Sequence, residues 1–227
     1  MKKTLNANTL KIIAIIAMLA DHIAFGFLSP VSPFYYVLRI IGRITAPVMC
    51  FFIAEGFYHT RSVGKYMLRL FIFAVISHVP YRLLFEPKNP LTSSIMLPLF
   101  LGLCALWLYK NTNIKKPLAY LGMLACFILS YTSDWSCMPV FFILLFGIFH
   151  ENRHDALVRF AVVCAVFGIT ATIVTPAEWY MFGVLLSIPL LSMYSEELGK
   201  KIKALKWGFY VFYPAHMLLL FAIRYFI

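Results

Sequence analysis

The chain has 227 residues, of which 62% are hydrophobic and 17% aromatic, whereas soluble domains are about 45–50% apolar. Only 13% of the residues are charged, and the lysines and arginines behind the net charge of +11 stand in short segments between apolar runs. This pattern excludes an ordinary soluble domain and makes nucleic-acid binding a poor explanation of the charge. It is typical of a multi-pass membrane protein, in which basic loops set the topology.

The apolar runs predict an all-α bundle of about nine membrane-spanning helices, in one domain over residues 1–227. The second run is long and contains Gly42 and Pro47, so a kink or break is expected there. The fifth and sixth runs are short, which favours tilted or partly re-entrant helices. The predicted spans are 10–28, 34–58, 64–85, 94–109, 117–131, 138–149, 156–174, 179–194 and 207–227.

The N-terminal segment resembles a signal peptide, because lysines precede an apolar run. We interpret it as the first span, since Asp21 and His22 stand where a signal peptide needs small residues for cleavage. A cytoplasmic N-terminus places most of the 20 basic residues in inner loops, as the positive-inside rule requires. These inner residues are Lys2, Lys3, Lys11, Arg61, Lys65, Arg69, Lys110, Lys115, Lys116, Arg153, Arg159, Lys200, Lys201, Lys203 and Lys206.

Asp21 and His22 are adjacent ionisable residues inside the first span. Such groups cost several kcal/mol each in lipid and are by default candidates for function. His22 lies about 16 Å along the helix from Lys11, close to the membrane midplane. One interpretation is structural: the carboxylate satisfies a buried arginine, and the histidine bonds a backbone carbonyl. The other is chemical: His22 acts as a general base.

The outer half of the predicted bundle gathers further charged side chains. Arg39 and Arg43 are four residues apart and share one face of the second span. Asp134 stands beside Trp135 in the predicted outer loop between spans five and six. Neighbouring side chains on a helix diverge by about 100°, so Asp21 is poorly placed to serve His22. We therefore predict that Asp21 pairs with Arg39 or Arg43, and that Asp134 is the partner of His22.

A second polar group stands at the predicted cytoplasmic end of spans two and three. Glu55 and His59 are four residues apart, and Arg61 and Arg69 follow. For Glu55 and His59, helix capping and a functional role remain open, whereas membrane anchoring is the favoured explanation for Lys65. Arg69 falls a turn inside its span, which favours a specific anionic partner, such as a phosphorylated cofactor.

The last span carries Tyr213, Pro214 and His216. The proline is expected to kink the helix, and Tyr213 and His216 share a face. Aromatic packing and a functional site remain open for this pair. The sequence predicts no metal site, because its His, Cys and acidic residues show no ligand spacing.

The order of several motifs resembles the TraX family over nearly the whole chain. The motifs are LADHI, GRITAP, EGFYHTR, SDW and FYPAH, beginning near residues 19, 42, 55, 133 and 212. The family is named for a membrane protein of conjugation systems that acetylates the N-terminus of pilin. It is also distantly similar to membrane acyltransferases of the acyltransferase-3 type.

This resemblance implies that His22 is the base of acyl transfer and that Asp21, Asp134 and Arg43 belong to the same catalytic group. It implies acetyl-CoA as the acyl donor and no metal. The expected acceptor is an extracytoplasmic amine or hydroxyl on a surface peptide, glycan or lipid, and the expected location is the bacterial inner membrane. From the charge pattern and this resemblance together, we expect Arg61, Arg69, Glu55 and His59 to bind the donor. We expect Trp135, Tyr213, His216 and Arg39 to bind the acceptor.

A proton-coupled transporter or flippase is the alternative from another class. Buried Asp, His and Arg residues also form proton relays in membranes. Against it, the chain shows no internal repeat and is short for a two-lobed carrier. A scaffold without catalytic activity would have little use for so many ionisable residues in its spans.

Overall fold

The computed structural model describes residues 4–199 and 203–226, with only the backbone for 203–206. These residues form ten α-helices, with a 3₁₀ helix at Pro176–Leu186 between α8 and α9. The α-helices are α1 Ala7–Phe27, α2 Pro33–Gly42, α3 Thr45–His59, α4 Val63–Phe85, α5 Met96–Lys110, α6 Lys116–Ser130, α7 Met138–Ile148, α8 Arg153–Val174, α9 Ser187–Ser192 and α10 Lys203–Phe226.

Polar caps and prolines determine where several helices begin. The side chains of Asn6, Ser62 and Asn152 accept hydrogen bonds from backbone N–H groups in the first turns of α1, α4 and α8. Such caps satisfy donors that a helix start leaves unpaired. Prolines stand in the first turns of α2, α6, α7 and the 3₁₀ helix, where the missing N–H costs nothing.

Contacts between Cα atoms divide the described residues into two compact units. The first comprises residues 4–49, 151–199, 203–212 and 219–226, and the second comprises residues 50–150 and 213–218. In the first unit α1 packs on α2, and the 3₁₀ helix packs on both α2 and α8. In the second unit α5 contacts α4, α6 and α7. Since both units draw on separate stretches of chain, the single domain over 1–227 stays a prediction.

Apolar side chains cover much of the surface. The lipid-compatible faces of α4, α6 and α8 are exposed, whereas α7 is largely buried. Five helical segments are long and apolar enough to cross a membrane, counting Pro33–His59 as one, and α5, α6 and α7 are shorter apolar helices. Exposed apolar faces on long helices require a lipid environment, so the chain is a multi-pass membrane protein. The exposed residues include Leu68, Phe71, Ile72, Val75, Ile76, Val79, Leu118, Leu121, Leu124, Ile128, Val158, Val162, Val166, Ile169 and Ile173.

The predicted spans correspond one by one to helical segments of the structure. The expected break in the second span is confirmed, and it falls at Arg43 and Ile44 between α2 and α3. The predicted span 179–194 consists of the 3₁₀ helix followed by the short α9. The helix α10 continues through Pro214. Among the basic residues used for topology, Lys2, Lys3, Lys200 and Lys201 lie outside the described residues, and the cytoplasmic N-terminus stays a prediction.

Candidate functional site

Asp21 is the centre of a buried ionic group in the first unit. Arg39 Nη1 donates to Asp21 Oδ2 at 2.9 Å, and Arg43 Nη2 donates to both carboxylate oxygens. Asp21, Arg39 and Arg43 are 7%, 8% and 4% exposed. The predicted pairing of Asp21 with an arginine is thus confirmed, and both candidate arginines take part.

Tyr180 completes this group from the 3₁₀ helix. Arg39 Nη2 donates to the Tyr180 hydroxyl at 3.1 Å. The guanidinium carbons of Arg39 and Arg43 lie 4.8 and 5.5 Å from the centre of the Tyr180 ring, within the range of cation–π attraction. We call Asp21, Arg39, Arg43 and Tyr180 the Asp21 cluster. The sequence did not single out Tyr180, because its position in an aromatic-rich segment gives no sign of a partner on α2.

Close backbone packing brings Tyr180 to the arginines. A Cβ atom built at Gly183, in the same 3₁₀ helix, would overlap the backbone carbonyl of Ile40 on α2. Only glycine permits this approach without displacing one of the two segments. On the other side of the break, the Thr45 hydroxyl donates to the Ala14 carbonyl at 2.9 Å, which joins the start of α3 to α1. One close backbone approach and one hydrogen bond from a side chain to the backbone therefore flank the Asp21 cluster.

His22 lies beside the Asp21 cluster and is 7% exposed. It is close enough to interact electrostatically with Asp21. The carboxylate oxygens of Asp21, however, accept from the two arginines. This agrees with the expectation that Asp21 serves an arginine rather than its neighbour. The Asp21 cluster carries one negative and two positive charges.

Asp134 lies in a polar group of the second unit. Its carboxylate interacts electrostatically with the phenols of Tyr81 and Tyr213, and the Tyr213 phenol lies beside Ser94. The Asp134 N–H donates to the Ser93 carbonyl at 2.8 Å. We call these residues the Asp134 cluster.

Two further predicted residues border the Asp134 cluster. The His216 ring stands edge-on to Tyr213, with ring centres 5.8 Å apart, so the predicted shared face is confirmed. Trp135, next to Asp134, has a left-handed backbone conformation with φ of 63°. This conformation is uncommon outside glycine, and it marks a constrained turn between α6 and α7. His22 belongs to the first unit and Asp134 to the second, so their predicted partnership stays a prediction.

Glu55 and His59 meet a third residue, His150, in the second unit. Glu55 Oε1 lies 3.1 Å from His150 Nε2, and Glu55 Oε2 lies 3.6 Å from His59 Nε2. The sequence did not reveal this meeting, because His150 follows α7 and stands far along the chain from α3. We call these three residues the Glu55 cluster.

The predicted anion-binding arginines follow α3. Arg61 is exposed and Arg69 is half-buried. The Arg69 guanidinium carbon lies 5.4 Å from the centre of the Tyr66 ring, and its buried Nε has no hydrogen-bond partner among the described residues. Arg69 therefore has a buried donor that no described residue satisfies.

Comparisons with known proteins place the chain in a family. The family model described as TraX protein matches residues 6–224. The probable fimbrial assembly protein FimC, serogroup H1, of Dichelobacter nodosus is 31% identical over 243 aligned positions, which cover 98% of this chain and 97% of the relative. The uncharacterized protein RP591 of Rickettsia prowazekii (strain Madrid E) is 36% identical over 110 positions, or 48% of this chain and 40% of the relative. No solved structure matches. The resemblance in the ordered motifs is thereby confirmed, and the chain belongs to the TraX family.

Proposed function

We propose that this protein is a membrane acyltransferase that moves an acetyl or other acyl group from cytoplasmic acyl-CoA to an extracytoplasmic amine or hydroxyl. The observation that carries the proposal is a buried histidine, His22, beside a carboxylate held by two arginines. Burying this much charge costs free energy, and a functional role is a reason for a protein to retain it. The proposed location is the bacterial inner membrane.

The proposed reaction needs one base and one source of positive charge. His22 takes the proton of the acceptor amine or hydroxyl as its nitrogen or oxygen attacks the thioester carbonyl. The new C–N or C–O bond forms, the C–S bond breaks, and the proton passes to the departing CoA thiolate. The reaction requires the thioester to be brought to His22. We give His22 the role of base because it is buried and because the family resemblance implies that role.

The positively charged arginines of the Asp21 cluster can stabilise the negative charge that develops on the thioester carbonyl oxygen. One carboxylate neutralises one of two guanidinium groups, which leaves a net positive charge next to His22. Arg39 Nε is buried and, among the described residues, has no hydrogen-bond partner. A fixed cationic donor in a water-poor site stabilises an oxyanion strongly. We assign this role to Arg39 and Arg43 together, and Asp21 keeps them in place.

The donor is proposed to bind through Arg61 and Arg69, which suit the phosphates of CoA. Glu55 and His59 belong to the same proposed region through the family resemblance. Arg69 supports the assignment best, because it combines partial burial with a buried Nε that has no described partner.

The acceptor is proposed to bind Trp135, Tyr213 and His216, which the family resemblance indicates, and Arg39, which the sequence pattern places among the outer charged residues. The name of the Dichelobacter relative, a probable fimbrial assembly protein, makes the N-terminal amine of a pilin the first acceptor to test. A surface glycan or lipid is tested in the same assay.

The test uses purified full-length protein, radiolabelled acetyl-CoA and a peptide with a pilin N-terminus. Wild-type protein is expected to transfer label to the peptide, and His22→Ala is expected to lose transfer while acetyl-CoA still raises its unfolding temperature. His78→Ala, which changes a half-buried histidine on α4, is the matched control. Full turnover by His22→Ala contradicts the role of His22. If acetyl-CoA does not stabilise wild-type protein and reconstituted vesicles show proton-driven uptake, the protein is a transporter instead.

A further inference from the structure

The Glu55 cluster has the composition and spacing of a transition-metal site. Glu55, His59 and His150 each offer one ligand atom, and these three atoms all lie within 4.8 Å of one another. We infer that the three side chains bind a divalent transition-metal ion, with Zn²⁺ the first choice, at the C-terminal end of α3 and the turn after α7. This inference does not depend on acyl transfer and stands if that proposal fails.

The distances fit a metal with modest adjustment. Zinc binds nitrogen at about 2.0–2.1 Å in a tetrahedron, which separates neighbouring donor atoms by roughly 3.3 Å. The Glu55 oxygens lie 3.1 Å from His150 Nε2 and 3.6 Å from His59 Nε2. The two contacts use different oxygens of Glu55, and the three ligand atoms lie within 4.8 Å of one another, so metal binding requires the exposed His59 side chain to move closer to the other two.

The chemical types of the three ligand atoms indicate which metal ions they prefer. Two imidazole nitrogens and one carboxylate oxygen suit zinc and its first-row neighbours, whereas Mg²⁺ and Ca²⁺ prefer oxygen ligands alone. Two histidines and one glutamate are also the three protein ligands of known zinc sites that keep a fourth position open. With a single carboxylate, a bound Zn²⁺ would leave a net charge of +1, so water or an anion would complete the coordination.

Packing against Tyr58 orients the His150 ring without a bound metal. The Tyr58 ring stacks on the imidazole, with centres 3.9 Å apart and planes at 26°. The Tyr58 hydroxyl donates to the Gly147 carbonyl in the last turn of α7. Outer contacts of this kind orient metal ligands and raise affinity. His59, by contrast, has a side chain that is 74% exposed, which gives a metal ion a path of entry.

The competing explanation is that Glu55 simply accepts hydrogen bonds from the two imidazoles. That arrangement satisfies the same short distances without a metal. Binding stoichiometry separates the two explanations, because hydrogen bonds alone give no saturable site for Zn²⁺.

The experiment measures Zn²⁺ binding to the full chain in detergent, purified through a histidine-free tag and stripped with a chelator. Equilibrium dialysis with elemental analysis is expected to give about one Zn²⁺ per chain, and Co²⁺ in its place is expected to show the intense visible absorption of a four-coordinate site. An excess of Mg²⁺ or Ca²⁺ should not compete.

Three variants identify the ligands. Loss of an outer-shell partner alone weakens metal sites by ~10–100-fold, so His59→Ala, His150→Ala and Glu55→Gln are each expected to weaken binding by at least ~100-fold. His59→Ala changes an exposed side chain, so it keeps the test valid if the other two variants fail to fold. His154→Ala, which removes an exposed histidine outside the cluster, should bind like wild type. Absence of saturable binding by wild type, or unchanged affinity in His59→Ala, overturns the inference.

Discussion

Gly42 packs directly against Asp21. A Cβ atom built at position 42 would overlap the Asp21 side chain and its carboxylate. The missing side chain at this position thus leaves room for the carboxylate that Arg39 and Arg43 share.

Gly42→Ala is expected to destabilise the protein by about 1–3 kcal/mol, the usual cost of overpacking, even though alanine is the better helix former. Thermal unfolding in detergent measures the change. Gly64→Ala is the matched control, because a Cβ at that helical glycine meets no described atom within 4 Å apart from its chain neighbours and the nearby backbone of its own helix. The control should be neutral or up to ~1 kcal/mol more stable, and equal stability of the two variants contradicts the close contact.

Substitutions of Asp21 and Arg39 should have coupled effects on the free energy of unfolding. Breaking a buried pair by removing one partner costs about 3–5 kcal/mol, because the other charge is left uncompensated. Asp21→Asn leaves two guanidinium groups uncompensated and is therefore expected to destabilise strongly. Arg39→Gln should cost less, because Arg43 still neutralises Asp21, and the double variant is expected to cost less than the two changes added. A double-mutant cycle from thermal unfolding checks this. Simple additivity would show that the 2.9 Å contact carries no coupling.

Tyr180 offers Arg39 both a hydroxyl and a ring. Tyr180→Phe removes the acceptor of Arg39 Nη2 and is expected to cost about 1 kcal/mol. Tyr180→Leu also removes the ring beneath two guanidinium groups and should cost roughly 0.5–2 kcal/mol more. Unfolding temperatures of both variants measure the two contributions. Equal losses in the two would mean that the ring faces contribute nothing.

Arg69 is predicted to bind the acyl donor. Arg69→Gln is expected to raise the dissociation constant of acetyl-CoA roughly tenfold, because it removes a charge-assisted hydrogen bond to phosphate. Calorimetric titration gives the constant. Lys65→Gln changes an exposed cation one turn earlier on α4 and should have little effect. If Lys65→Gln matches Arg69→Gln, the attraction is diffuse rather than specific.

Much of the fold could be predicted because apolar length and basic loops are local properties of the sequence. The break near Gly42 and the pairing of Asp21 with an arginine also followed from local rules, namely helix breakers and the cost of an isolated charge in lipid. The 3₁₀ conformation of Pro176–Leu186 could not be predicted, because its aromatic and apolar composition is equally compatible with an α-helix.

Tyr180 and His150 were missed for a common physical reason. Each meets its partners across two segments distant in sequence, through contacts such as Gly183 on Ile40 and Tyr58 on His150. Periodicity identifies which residues share a helix face, but it carries no information about which face of another helix lies opposite. Spacing rules for metal ligands fail in the same way when one ligand comes from a distant turn.

Arg43 contacts both the backbone at the end of α2 and the buried carboxylate of Asp21. Its backbone N–H and its side-chain Nε both donate to the Arg39 carbonyl, at 3.2 and 3.4 Å, while its terminal nitrogen holds Asp21. The Arg39 carbonyl therefore accepts both an ordinary helical N–H and a side-chain donor from the residue that follows α2. Lysine would keep the charge but has no second donor along its side chain to return to that carbonyl. The end of α2 and the buried ion pair thus share one residue, so a substitution at position 43 is expected to disturb both.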